Sequence, residues 1–153
     1  YLIVSAKGKI LEKTNQPQEG LLIFKGYIPE FLEPGQMLTS TEDQKNAIYT
    51  AFLSNEYAAD LTEVDMTDQY DIVVYYGDRI RFDIGNANEI SYKLRLAATA
   101  IPRLNDSKKY NLRMVGDNQI SATQQEPAVT TAPEDPTEPE STETTTTTAA
   151  PAA

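Results

Sequence analysis

An α+β fold is expected: a mainly antiparallel sheet with two helices packed against it, followed by a disordered C-terminal tail. Three observations lead there. Apolar runs come in pairs separated by short turn signals, as in Asp71–Tyr76 and Arg79–Ile84 around Gly77-Asp78, the pattern of hairpins. Two other stretches repeat their apolar residues at steps of three and four, the helical spacing. Near Gln124–Gln125 the composition changes abruptly and the apolar pattern stops.

Taken in order, Tyr1–Val4 and Lys9–Glu12 flank the Lys7-Gly8 turn of a short hairpin. Leu21–Phe24 is a compact apolar run ahead of Gly26 and Pro29, a further short strand, and Glu33-Pro34-Gly35 marks a turn. Thr41 and Gln44 stand at capping-box spacing and open a helix to about Glu56, with Ile48, Ala51 and Phe52 as its buried stripe. Leu61–Met66 and Asp71–Tyr76 read as strands. In the return strand, Ile80, Phe82 and Ile84 alternate with Arg79, Arg81 and Asp83. Period two with one charged face means a half-buried antiparallel strand.

Asn86 with Glu89 three residues on signals the second helix start. Its apolar stripe is Ile90, Leu94, Ala97, Ala98, Ile101 and Leu104, and Pro102 ends the regular helix just before it. Tyr110–Val115 and Gln119–Thr123, joined by Gly116-Asp117-Asn118, make a last hairpin. The folded domain is thus placed at 1–123 and the tail at 124–153. From Glu126 on, the chain is Thr, Pro, Glu, Ala, Ser and Asp with one Val, and carries no Lys, Arg or aromatic residue. Such a segment buries too little apolar surface to offset an ordering entropy of about 1–2 kcal/mol per residue.

Composition excludes several function classes. The chain has neither His nor Cys, which removes the usual nucleophile–base pairs, thiolate metal sites and disulfides. No cofactor or metal is expected. Six of the ten excess negative charges lie on the tail, leaving four on residues 1–125. That balance opposes nucleic-acid binding, which wants a basic stripe. No apolar run approaches a membrane span. Tyr1-Leu2-Ile3-Val4 begins directly on a strand pattern, so the sequence is expected to be part of a longer protein, and any membrane anchor would lie upstream of it.

Acidic residues suggest chemistry less than turns. Asp65, Asp68 and Asp71 are three apart with no central Gly, unlike a calcium loop, and read as a solvated turn between strands. A carboxylate-pair hydrolase using Asp78 or Asp83 is the enzymatic alternative, yet both residues sit at a turn or on a charged strand face. Tyrosines dominate the aromatics. By alternation Tyr75 shares a face with Val73, turned away from the core and toward solvent or a partner. The last hairpin offers the strongest binding signal, because an open strand edge leaves N–H and C=O groups that another chain can extend.

An ordered series of residues resembles a known family. Leu61–Asp65, Tyr70–Val73, Gly77-Asp78-Arg79-Ile80, Ile84-Gly85 and Lys93-Leu94 fall as in the second extracytoplasmic domain of the FtsQ/DivIB bacterial cell-division proteins. Val4 and Gly8–Leu11, then Gly26–Pro29 and Pro34–Leu38, occupy the preceding places. The similarity covers about residues 1–115, and the acidic Thr/Pro-rich extension fits the DivIB-type members.

That resemblance implies a non-catalytic, membrane-anchored scaffold on the extracytoplasmic face at the division site. It would recruit FtsL- and FtsB/DivIC-like partners by strand addition during septum formation. The edge is assigned to Tyr110–Val115 or to Gln119–Thr123 beside it. Tyr110, Leu112, Arg113, Val115 and Ile120 become contact residues, with Arg95 and Arg103 on the preceding helix as charge contacts. Proline at Leu112 or Val115 is the corresponding edge-breaking substitution. The alternative reading is a glycan-binding module of a surface protein, its tyrosines stacking on peptidoglycan and its tail acting as a stalk.

Overall fold

The computed structural model describes residues 1–126, and the expected disordered tail lies outside them apart from its first residues. The strands are β1 (Leu2–Val4), β2 (Ile10–Lys13), β3 (Ile23–Lys25), β4 (Glu63–Asp65), β5 (Ile72–Tyr76), β6 (Ile80–Gly85), β7 (Tyr110–Val115) and β8 (Gln119–Gln124). The helices are α1 (Asp43–Leu53) and α2 (Ile90–Ala100). The architecture is α+β, as the sequence predicts.

β1 and β2 form a separate two-stranded sheet, and β3 to β8 form a six-stranded sheet in sequence order. Two junctions are parallel, β3 with β4 across α1, and β6 with β7 across α2. Parallel neighbours need a crossover, and each helix supplies one. The other pairings are antiparallel.

Both helices pack on one face of the large sheet. Phe24, Val64, Val74, Phe82, Leu112 and Ala122 form one register row across all six strands. The row is buried from Val64 to Leu112 and exposed at Ala122. Ile48 and Phe52 from α1, with Ile90, Leu94 and Ala97 from α2, cover its middle. Removal of such side chains from water is the main stabilising term, about 1.5–3 kcal/mol for each large residue. The row therefore loses its cover at Ala122 on β8.

Several local expectations are corrected. α1 starts at Asp43 after Glu42, with no side-chain cap, because Thr41 lies outside the helix. Its buried residues are Lys45, Ile48 and Phe52. Lys45 reaches the Gly26 carbonyl at 2.6 Å and Glu42 at 3.4 Å, so its burial is matched by polar partners. Asn86 does not cap α2; its Oδ1 accepts the Asn88 N–H at 3.1 Å. The helix opens at Ile90 after a left-handed Glu89. Lys93 Nζ instead ties this junction, donating to the Ile84 and Asn86 carbonyls, both at 2.9 Å. The regular helix does end before Pro102, at Ala100, and Pro102 falls in a short 3-10 turn, Ile101–Arg103, that follows it. β8 reaches Gln124, and the Gln125 N–H still donates to Lys109 O at 2.8 Å, so the hairpin outlasts the boundary expected at 123.

Candidate functional site

Hydrogen-bond alternation decides which strand is the open edge and which groups it offers. Tyr110 N–H donates to Arg79 O at 2.9 Å, toward β6, while Gln125 N–H donates to Lys109 O, toward β7. The β7–β8 register is unbroken from Tyr110↔Gln124 to Val115↔Gln119. In an antiparallel ladder, bonded and non-bonded pairs alternate. The N–H and C=O of Gln119, Ser121 and Thr123 therefore face β7. Those of Ile120, Ala122 and Gln124 point outward, where no strand of the described residues lies.

β7 is accordingly an inner strand, bonded to β6 and β8. Leu112 is 1 % exposed, so neither its side chain nor its backbone is offered to a partner, and proline there breaks the core instead of an edge. Val115 is 50 % exposed, but its backbone belongs to the β7–β8 pairing with Gln119. The edge assignment among the two strands thus narrows to β8.

The predicted contact residues fall in three places. Tyr110 and Ile120 pack against the core on the helix-covered face. Arg113, Val115 and Tyr75 share the opposite face. There, one register row runs Ile23, Glu63, Tyr75, Arg81, Asn111, Thr123, and the next runs Lys25, Asp65, Val73, Asp83, Arg113, Ser121. Arg113 is joined to Asp83 at 3.4 Å. Tyr75 lies on the Val73 face, as alternation predicts, three strands from β8, but Val73 is buried and Tyr75 half-buried, so this face is not the open stripe expected.

Arg95 and Arg103 are exposed, and neither pairs with a carboxylate among the described residues. Arg95 stacks over the Tyr92 ring, 5.4 Å from its centroid. Tyr92 Oη donates to Asn118 Oδ1 at 2.9 Å, fastening α2 to the β7–β8 turn, and α2 packs against β8. The open edge thus has an unpaired guanidinium on the adjoining helix. Sequence reasoning missed Tyr92 and Gln124, while Ala122 fell within the Gln119–Thr123 edge it offered. The available signal was the uncharged run Gln119–Gln124.

That run matters because edge strands are ordinarily protected by charge, proline, bulges or shortness. β3, the other edge, is three residues long and ends in Lys25. β8 is six residues long, has no charged residue or proline, and keeps a regular register.

The acidic cluster has structural roles. Asp65 Oδ1 accepts the Thr67 N–H at 3.0 Å, and Asp68 Oδ1 accepts the Tyr70 N–H at 2.8 Å. Burial alone would raise the Asp65 pKa, but the Thr67 hydrogen bonds and the charges of Lys25 and Arg81 bring it below the usual value. Among the described residues, no three or more acidic side chains come together in an arrangement that could hold a metal ion. Asp78 pairs with Lys109 at 3.1 Å.

Asp71 is the exception: the charge of Asp83 and a hydrogen bond shared with it push the Asp71 pKa up. A carboxyl whose folded pKa is raised stabilises the fold below its unfolded pKa and loses that contribution as pH rises through the folded value. Asp71→Asn should therefore raise the melting temperature slightly at neutral pH. The gain should vanish below about pH 4, near the unfolded carboxyl value. Melting curves across that range, compared with the parent protein, check the sign.

No protein-family model, no curated protein and no solved structure matches this chain.

Proposed function

We propose that this chain is a non-catalytic scaffold domain of the FtsQ/DivIB kind, acting outside the cytoplasmic membrane in septum formation. It takes a strand from an FtsL- or FtsB/DivIC-type division protein onto β8. The observation that carries this reading is the unguarded six-residue edge of β8, with the groups of Ile120, Ala122 and Gln124 turned outward. An added strand would extend the Phe24–Ala122 register row by one position and cover the exposed Ala122. Backbone bonds supply contact in such complexes, and alternating side chains supply selectivity. Arg95 on the adjoining helix would favour an acidic residue beside the incoming strand.

A heteronuclear NMR titration with a soluble FtsL/FtsB-type ectodomain pair tests the proposal. Shifts should cluster on Gln119–Gln124, Tyr92 and Arg95. Ala122→Pro removes one outward N–H without touching the β7 ladder, and should weaken binding about tenfold or more, equivalent to about 1.4 kcal/mol. Unchanged affinity in that folded variant rejects β8 as the docking edge.

A further inference from the structure

A cleft of 450 Å³ opens on the other side of the molecule, beside β1, β3 and α1. Four of the exposed large apolar residues, Tyr1, Leu21, Leu32 and Leu53, line it. Tyr27 and Tyr49 line it as well. Tyr1 through Ala6 and Leu21 through Phe24 line it without a gap in sequence. Successive side chains point to opposite faces of a strand, so a cleft lying over a sheet face would meet alternate residues. Neither Ile10–Glu12 of β2 nor any residue of β4 takes part. The cleft therefore borders two strand edges.

Hydrogen bonding agrees. Thr14 N–H donates to Tyr1 O at 2.9 Å, and Ser5 N–H donates to Lys9 O at 2.8 Å. With Ile3 opposite Glu12, residues 1, 3 and 5 bond across the hairpin, and Leu2 and Val4 turn their N–H and C=O the other way. Ile23 N–H donates to Thr62 O at 3.0 Å, and Lys25 O accepts Met66 N–H at 2.9 Å. Those groups face β4, leaving the backbone of Phe24, and of Leu22 by the same alternation, turned outward. The far edge of β2 is already covered: Ile10 N–H donates to Gln36 O and Leu38 N–H to Gly8 O. β1 and β3 do not pair with each other.

We propose that this cleft binds an extended, largely apolar peptide segment of a partner protein. The segment inserts as a strand between β1 and β3, with an acidic side chain at the end that meets Lys13. Two bordering rows of backbone donors and acceptors call for a polypeptide, because an acyl chain could satisfy neither. Lys13 is the single charged side chain in the lining, and it sets the charge of the occupant and which end carries it. Insertion would join the two-stranded and six-stranded sheets into one. This interface is separate from the β8 edge and does not depend on it.

The test uses the full chain and six-residue synthetic peptides, capped at both ends, that alternate valine and threonine and carry glutamate or lysine at either end. Amide hydrogen exchange is read by NMR. A glutamate peptide should slow exchange at Leu2, Val4, Leu22 and Phe24 by about tenfold, and bind about tenfold more tightly than its lysine counterpart. Lys13→Glu should reverse that preference. Val4→Pro, with core amide shifts unchanged, should abolish the protection, whereas Ala122→Pro should leave it intact. No protection by any peptide at about millimolar concentration, or protection confined to Ile120, Ala122 and Gln124, overturns the proposal. Cleft shifts without slower exchange at those four amides also overturn it, because the occupant would then not be a strand.

Discussion

Proline in place of Leu112 should abolish cooperative folding, while proline in place of Ala122, directly opposite it in the ladder, should leave the domain folded. Leu112 is the inner residue of the pair. Its N–H faces β6, since Tyr110 two residues earlier donates to Arg79 and bonding alternates along the strand. Proline deletes that donor and leaves a buried acceptor unsatisfied, at a cost of about 1–3 kcal/mol. It also trims a side chain that is 1 % exposed, and truncation of a buried Leu costs about 2–5 kcal/mol. Proline is essentially absent from central strands because its ring and fixed φ distort the ladder. Together these losses approach the about 5–15 kcal/mol that holds an ordinary domain folded. At Ala122 the N–H points away from β7 and the side chain is exposed, so the same substitution should cost about 1 kcal/mol or less. Urea unfolding of the two variants checks the contrast. A cooperative, near-native transition for Leu112→Pro would mean that β7, and not β8, is the edge.

Gly26→Ala should be the most damaging single-methyl addition in the chain. Gly26 follows β3 directly, with φ +78°, in the left-handed region that side chains avoid. A Cβ there would overlap the backbone N and Cα of Thr67 and lie 2.8 Å from the Met66 carbonyl carbon. None of these atoms can swing aside as a side chain would. Gly26 O also accepts the buried Lys45 ammonium, so displacing this backbone unseats a charge that burial makes sensitive to its partners. Conformational strain of about 1–3 kcal/mol and overpacking of about 1–3 kcal/mol should act together. The melting temperature should fall by roughly 10 °C or more. Gly20→Ala is the control, since Gly20 has φ +81° but nothing within 4 Å of its added Cβ; it suffers strain alone. If the two variants melt together, the close approach of β3 to the Met66–Thr67 turn is not what fixes Gly26.

The sequence also carries limits on what its own patterns can locate. Both helices, the hairpins and the turns at Gly77 and Gly116 were legible because each rests on local periodicity or on turn chemistry within a few residues. Tyr75 was placed on the right face because alternation is a local property. Leu112 was assigned to an edge because its own strand reads the same whether a neighbour lies on one side or on both. The parallel pairing of β6 with β7, which encloses Leu112, is a contact between segments separated by α2, and no local pattern encodes it. The caps of α1 and α2 were misplaced for a related reason. Glu89 adopts φ 52°, and Lys93, not Asn86, satisfies the carbonyls at that junction, an arrangement that depends on where β6 ends.

By itself, then, the sequence determined the α+β class, the element order, the charged outer face and the lack of His and Cys chemistry, all consequences of composition and short-range spacing. Only the tertiary structure decided strand order. It made β8 the exposed end of the sheet, set the Phe24–Ala122 row with its buried middle and open end, and left one edge of β1 and one edge of β3 unpaired at either side of a cleft. Strand order depends on which hydrophobic faces are buried together across long loops, and that is a property of the whole packed chain.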